Sequence, residues 1–599
     1  MTEERRQWVD GTLSALTLEQ KIGQMLQLRY FADYRSFDDP AFRELKKQIA
    51  EYHIGSLVLN LHYEKGRMLR PSPRDAARVA NELQRGEPIP LLLAADLERG
   101  AASRLNEVPS FPWPMTFGAA NDPAQVKRFA EIVAREARSI GVQWVLAPVA
   151  DLNSNPVNPI INVRSFGEDP HSAETLIEAY IRGAHAHGLL VTAKHFPGHG
   201  STAVDSHVGV PVIEGDLEQL KKNELVPFDA SIRAGVDAIL LAHARVPDVD
   251  TESDSVVTVS PRIVSGLLKR QLQFRGVVLT DALNMHSLAE SYAFQGGSPT
   301  ARAAIDAVKA GCDVIMWPTD LDGAYRGLID AVHTGEIPES RINESVRKVL
   351  MMKASVGLDT SRFVDVDVAT DLASKPEDYV FAQQVADRGT VLVRDSGKVI
   401  PIDRAEEQSS NHPEPPSNQA AKASFLSVVL AESLESDTGA EFEKELKARR
   451  PDAVVLFVDR RTADAAAPRV LEAVAKANKV IVLAYVTPRE ARQVAVDGTV
   501  KELFGLVGPP GRLLNRILAV AADKTAVVAM GSPYLILSFP SIKTYVCTFS
   551  IASTTEFSAV KAMFSEIQND AKLPITLPGI APLGYSVSWP STNSRPTTP

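Results

Sequence analysis

Residues 193–210, AKHFPGHGSTAVDSHVGV, place Lys194, His195, His199, Asp205 and His207 in one glycine- and serine-rich stretch directly after the apolar run GLLVTA. For any one of these histidines a polar loop with an incidental imidazole is the plain reading. Three of the chain's twelve histidines crowded beside a lysine and an aspartate exceed it. A carboxylate fixed near lysine and arginine stays ionised and can serve as a nucleophile or as an electrostatic stabiliser. An imidazole titrates near neutrality and can give and later take back a proton without a large pKa shift. Asp205 stands two residues before His207, a spacing that lets the carboxylate hold one ring nitrogen and stabilise the protonated ring.

Three further stations carry chemistry. AADLERGAASRL (94–105) ends a buried run at Asp96 and offers Arg104 eight residues later. NPVNPIINVRSFGEDP (155–170) is a turn-rich loop presenting Arg164, and VVLTDALNM (277–285) sets Asp281 after an apolar run. A single aspartate in such a place often caps a helix. Four polar stations on four strand ends are more than capping explains. A zinc site drawn from His195, His199, Asp205, His207 and His243 is the competing reading. Lys194 beside His195, together with the strand-end arginines, suits an oxygen-rich ligand better than a divalent cation, and treatment with a chelator separates the two.

The elements that must position these groups follow from the apolar runs. QMLQLRY (24–30), GSLVLN (55–60), PLLLAAD (90–96), QWVLAPV (143–149), LLVTAKH (189–195), DAILLAH (237–243), GVVLTD (276–281) and CDVIMWP (312–318) read as strands. Between them lie segments such as DPAQVKRFAEIVAREARSIG and TARAAIDAVKAG with the spacing of amphipathic helices. Eight such units predict a (β/α)8 barrel of the TIM type, with a doubly wound open sheet as the alternative. The polar residues favour the barrel, because Asp96, His195, His243 and Asp281 each end a strand and would converge on one mouth.

At 599 residues the chain is too long for one core. The barrel is expected over residues 1–360, closed by the helical segment ESRINESVRKVLMMKASVG; residues 361–375 read as a linker, and a second α/β domain, a layered sandwich, over 376–599. Its strands are TVLVRD, SFLSVVLAE, DAVVLFVD, KVIVLAYV, TAVVAMG and TYVCTFS; the Pro-rich polar stretch 403–423 reads as a mobile surface loop. Cys312 and Cys547 both sit in apolar runs and are expected as core thiols. A net charge of −10 with no strong basic run argues against nucleic acid as a partner. The opening MTEERRQWVDGTLSALTLEQ carries charge where a signal peptide needs an apolar segment, and no apolar run is long enough to span a membrane. The sequence as given reads as cytoplasmic; a leader already removed would leave the same pattern.

KHFPGHGSTAVDSH resembles the K-H-F-P-G-H-G-x4-D-S-H motif of the β-N-acetylglucosaminidase branch of glycoside hydrolase family 3. LAPVADLNSNPVNPIINVRSFGEDP is similar to a loop of that family, DLERGAASR to its D-x-E-G-G-R-V-x-R segment and TDALNM to its nucleophile segment, so the resemblance covers residues 15 to about 360. VADRGTVLVRDSGKVIPI (385–402) and AKLPITLPG (571–579) resemble parts of the second domain found in the two-domain members. The resemblance implies Asp281 as nucleophile, His207 as general acid/base and Asp205 as its partner. It implies Asp96, Arg104, Arg164, Lys194 and His195 as the clamp on the sugar hydroxyls and acetamido group, with no metal and no cofactor. Two positions depart from the pattern: Arg99 stands where the family has its first glycine, and Ala101 where it has its inner arginine.

The activity implied is a retaining exo-β-N-acetylglucosaminidase acting on GlcNAc-containing glycosides, with cell-wall (peptidoglycan) fragments as the expected substrate. A histidine acid/base in place of the usual second carboxylate repels anionic acceptors less, so a phosphorylase of the same glycosides is the near alternative. A β-glucosidase of the same fold is a further one. A catalytically silent sugar-binding or scaffold protein is the reading from another class, and the retained Asp281, Asp205 and His207 argue against it. Neither the aglycone nor the oligomeric state is legible.

Overall fold

The computed structural model describes residues 2–590 apart from 34–35, 65–66, 205, 207–208, 252–253, 285–291, 293–297, 403–424, 436, 487–492, 497–498 and 503–504. The loop expected over 403–423 lies outside the described residues. Packing divides the chain into two units. The first holds residues 1–109, 122–152 and 170–378, and the second holds 110–121, 153–169 and 379–599.

The eight apolar runs of the first unit become eight parallel strands: β1 (Leu26–Phe31), β2 (Ser56–Asn60), β3 (Leu92–Ala95), β4 (Trp144–Val145), β5 (Leu190–Phe196), β6 (Ala238–Leu241), β7 (Val277–Leu279) and β8 (Ile315–Met316). They follow one another in the order β8-β1-β2-β3-β4-β5-β6-β7. A bridge from Leu279 to Val314, with the Thr280 amide donating to the Val314 carbonyl at 3.1 Å, brings β7 to the segment that leads into β8. The sheet thereby curls into a nearly closed barrel. Its inward face is filled by Val58, Ala94, Trp144, Leu190, Leu240, Leu279 and Met316, one layer of branched and aromatic side chains after another.

The crossover helices form where the sequence supplies caps and a stripe. Pro123–Ser139 starts at Asp122, whose carboxylate accepts the amides of Ala124 and Gln125, and it buries Val126, Phe129, Ala130, Val133 and Ala137 at three- to four-residue spacing. The stretch 361–375 contains a short helix, Ala369–Ala373, packed on Pro73–Gln84 and Pro123–Ser139.

In the second unit the six expected strands form one sheet: β9 (Val391–Asp395), β10 (Phe425–Leu430), β11 (Val454–Val458), β12 (Lys479–Val486), β13 (Thr525–Gly531) and β14 (Thr544–Cys547). The order is β9-β14-β13-β12-β10-β11, with β9 antiparallel to β14 and every other pair parallel. Successive residues of β10 serve opposite faces. Leu426, Val428 and Leu430 join one core with the helices Ala463–Lys476 and Pro509–Ala521. Phe425 and Val429 join another with Ala440–Arg449 and Ser553–Met563. Two helical layers around a sheet make a layered α/β sandwich.

Two segments from the N-terminal half pack with this sandwich. Met115, Ala119 and Val163 enter its core, Thr116 Oγ1 donates to the Thr548 carbonyl at 3.0 Å, and Asn153 Nδ2 donates to Tyr534 Oη at 2.8 Å. Cys312 and Cys547 are free thiols, both buried. Among the described residues no helix is long and apolar enough to cross a membrane.

Candidate active site

Because all eight barrel strands run parallel, whatever follows their last residues gathers at one end. Asp96 follows β3 directly, Lys194 and His195 lie in β5, His243 is two residues past β6, and Asp281 is two past β7. The register of β5 against β6 slips by one residue between Lys194 and Phe196. Such an irregularity re-aims the side chains on either side of it.

Lys194 sits at the centre. Its Nζ lies 2.8 Å from Asp96 Oδ1 and 2.7 Å from Glu98 Oε1, with only 4% of its side chain exposed. Arg104 Nη2 stands 3.5 Å from Asp96 Oδ2, so the aspartate has a cation on each side. A lysine this buried is tolerable only because it is paired.

His195 is oriented by a residue that the sequence reading passed over. Asp151 Oδ2 lies 2.7 Å from His195 Nδ1, and Asp151 also accepts the backbone amides of His195, at 3.2 Å, and of His199, at 2.7 Å. A carboxylate facing Nδ1 puts the ring's proton there, which leaves Nε2 as the acceptor of the neutral ring. Burial alone would raise the Asp151 pKa. The imidazole of His195, its hydrogen bond and the neighbouring His199 outweigh that and hold the carboxyl below its ordinary value. His199 behaves in the opposite way: burial, then the nearby His195, push its pKa down to about 4, so the ring is neutral. Gly198, between them in sequence, has φ +126°, and a Cβ there would come within 2.8 Å of Glu224 Cβ. Glycine alone suits that position.

Asp281 is half-buried, and its Oδ1 accepts the Ala282 amide at 2.7 Å. Burial pushes its pKa up; His243, His195, the Ala282 amide and Lys194 together overcome this and keep the carboxylate ionised, below its ordinary value. His243 also fixes the backbone beyond it. Its Nε2 lies 3.2 Å from the Ala282 carbonyl, which can only accept, and its Nδ1 lies 2.7 Å from Thr258 Oγ1.

The structure thus brings Asp96, Arg104, Lys194, His195 and Asp281 to one mouth. Arg164 is carried by the second unit, on the loop 153–169, where its Nη1 donates to the Ile160 carbonyl at 3.0 Å. Asp205 and His207 lie outside the described residues. Asp151 and Glu98 are additions to the site, and His243 stands just past a strand end, as the sequence led one to expect. Among the described residues no group of three or more His, Cys, Asp or Glu side chains is placed to hold a metal ion.

Residues 17–352 match the family model described as the glycosyl hydrolase family 3 N-terminal domain. The chain belongs to glycoside hydrolase family 3. Within that family it is 30% identical over 406 residues to a beta-N-acetylglucosaminidase/beta-glucosidase of Cellulomonas fimi, a match spanning 66% of this chain and 68% of the relative. A beta-hexosaminidase of Stenotrophomonas maltophilia is 39% identical over 236 residues, 38% of this chain and 67% of the relative. Among solved structures, a family 3 beta-N-acetylglucosaminidase from a Paenibacillus strain superposes with a TM-score of 0.77 at 26% identity, covering 94% of this chain and 99% of that one. A beta-glucoside phosphorylase shares the fold at 21% identity and a TM-score of 0.77. The chain is therefore a family 3 glycoside hydrolase with a barrel and a sandwich.

Proposed function

We propose that this hydrolase is a retaining exo-β-N-acetylglucosaminidase that removes terminal GlcNAc from β-glycosides, cell-wall fragments among them. The observation that carries the reading is the state of Asp281: a carboxylate at a strand end, kept ionised against burial by His243, His195 and Lys194. An ionised carboxylate with no proton to lose is what attack on an anomeric carbon requires. In this reading Asp281 forms the glycosyl-enzyme bond while His207 gives its proton to the departing oxygen; His207 then takes a proton from the water that breaks that bond. Asp205 orients His207. Asp96, Arg104, Lys194 and His195 clamp the sugar. The choice of GlcNAc draws support from the relatives, which are named as hexosaminidases or N-acetylglucosaminidases.

One relative's name adds β-glucosidase, so glucosides are the competing substrate to be measured. Release of nitrophenol from the aryl β-GlcNAc and the aryl β-glucoside, each with and without phosphate, tests the reading. Faster release from the GlcNAc compound, with free GlcNAc as product at any phosphate level, is expected. Preference for the glucoside, a sugar phosphate as product, or no release from either compound overturns it.

A further inference from the structure

A cavity of about 610 Å³ opens in the first unit, in a part of the barrel mouth that none of the groups above occupies. Those groups come from β5 or from the loops that follow β3, β4, β5, β6 and β7. The cavity belongs to the β8, β1 and β2 sector. Register places its main cation: Val58 pairs with Ala94 and Arg29 pairs with Val58, so Arg29 shares the inward side of the sheet with the strand that delivers Asp96. The nucleophile's segment borders the same space. Asn284, three residues after Asp281, lines it, and the Leu283 amide donates to the Met316 carbonyl at 2.9 Å. That bond ties the loop after β7 to the strand whose next residue, Trp317, forms another wall.

The chemistry of the cavity is a cation between ring faces. The Arg29 guanidinium carbon lies 5.9 Å from the Phe31 ring centroid and 5.9 Å from that of Trp317, and Arg29 forms no ion pair among the described residues. Three acids line the cavity and none pairs with Arg29 among the described residues; Glu44 accepts from Gln48 Nε2 at 3.4 Å. Asp33 faces His62 Nδ1 at 2.9 Å, and Asp39 caps the helix Pro40–Tyr52 by accepting the amides of Ala41 and Phe42. Arg29 is exposed and Phe31 is 37% exposed, so a ligand can reach both. A guanidinium held by ring faces keeps its in-plane N–H donors for an acceptor, and the acceptor that matches their fork is a carboxylate.

We propose that this cavity is the aglycone subsite of the active site and that Arg29, framed by Phe31 and Trp317, selects an aglycone carrying a carboxylate. The proposal rests on the reading of Asp281 as nucleophile, because only then does the segment bordering the cavity carry the scissile bond to its edge. The carboxylate takes the guanidinium fork, and the ring or sugar that bears it lies against the exposed aromatic faces.

Two β-GlcNAc substrates decide it, the 4-(carboxymethyl)phenyl and the 4-(carbamoylmethyl)phenyl glycosides. The methylene insulates the phenol, so the leaving groups are closely matched and the charge is the variable. For the wild-type enzyme at low salt kcat/KM is expected to favour the carboxylate by about tenfold, through KM, and the preference is expected to shrink as salt is raised. In Arg29→Met the ratio of the two substrates is expected to fall toward one, and because it is a ratio within one variant it is read out even if overall turnover drops. A wild-type ratio near one, or a preference that survives in Arg29→Met, overturns the proposal without touching the glycosidase reading. Failure to hydrolyse either substrate overturns both.

Discussion

Replacing Asp151 by asparagine keeps the shape of a buried side chain and removes its charge, which isolates what the carboxylate does. It accepts three kinds of donor: the His195 amide, the His199 amide at 2.7 Å and His195 Nδ1 at 2.7 Å. Asparagine can serve both the His199 amide and the His195 amide with its oxygen, because both reach Oδ1, but its NH2 then faces His195 Nδ1. The two amide bonds are weakened by loss of the charge, and the Nδ1 contact becomes a donor against a donor unless the His195 proton moves to Nε2. Hydrogen bonds to an ionised group contribute roughly 1.5–3 kcal/mol and neutral ones about 0.5–1.5 kcal/mol, so weakening two and losing one costs about 2–4 kcal/mol of stability. That lies at or below the roughly 3–5 kcal/mol expected when one partner of a buried pair is deleted outright.

Two measurements follow for Asp151→Asn. Thermal unfolding of the full chain should move down by several degrees, and kcat/KM on an aryl β-GlcNAc should fall by about tenfold to thirtyfold, carried by KM, because roughly 1.4 kcal/mol is a factor of ten and the misplaced ring is in the proposed sugar clamp. The pH dependence supplies a second signature. The folded pKa of Asp151 is lowered, so its stabilisation is complete above the ordinary carboxylate pKa of 3.8 and is lost as pH falls through the lower folded value. The asparagine variant lacks that acid limb. A variant that melts with the wild type and keeps kcat/KM within twofold would refute the idea that Asp151 holds His195 in its working position.

Asp281→Ala should reduce turnover by several orders of magnitude while the barrel stays folded, and a fluorinated sugar that traps the glycosyl-enzyme should label Asp281 in the wild type; a label on any other residue sinks the assignment. His207→Ala should lose most of its activity toward glycosides with poor leaving groups and little toward activated aryl glycosides, so a leaving-group series with uniform losses speaks against a proton donor there. The buried His199, with its pKa pushed down from 6.5 to about 4, binds a proton more readily unfolded than folded between those values. Stability should therefore decline as pH is lowered from 6.5 toward 4, by up to about 3 kcal/mol, and denaturation midpoints of His199→Gln should show a shallower slope across that window.

Most of the barrel was legible because buried parallel strands leave continuous apolar runs, and the strands lie within or one residue past the runs that announced them. Asp96 and Asp281 were legible for a related reason, since several polar residues each ending such a run exceed what helix capping explains. Asp151 was not, because it stands six residues past the end of β4 and its partner is 44 residues away. No local period joins an aspartate to a histidine at that distance. The allegiance of residues 110–121 and 153–169 was illegible for a different reason: Met115, Ala119 and Val163 are apolar in either core, and composition does not say which one they enter.

The two departures from the family pattern, Arg99 and Ala101, fall in the loop that carries Asp96, and the structure explains why the loop survives them. Several of the bonds that set its shape are made by other groups. Gly100 has φ +81°, the left-handed region that suits glycine; the Ala101 amide donates to Glu136 at 3.0 Å; Ser103 Oγ donates to the Gly100 carbonyl at 2.8 Å. Glu136 is fully buried, and desolvation, offset in part by the Ala101 amide and Arg135, pushes its pKa up to about 8, so it serves at neutral pH as an uncharged acid. Position 101 enters these bonds through its amide, so alanine there leaves them intact. The frame that aims Asp96 and Glu98 at Lys194 uses the backbone of residues 100–103 and is indifferent to the change. Position 101 can therefore vary while the ion-paired core of the mouth stays fixed, and under the proposal above the preference for the aglycone is set instead at the cavity beside Arg29.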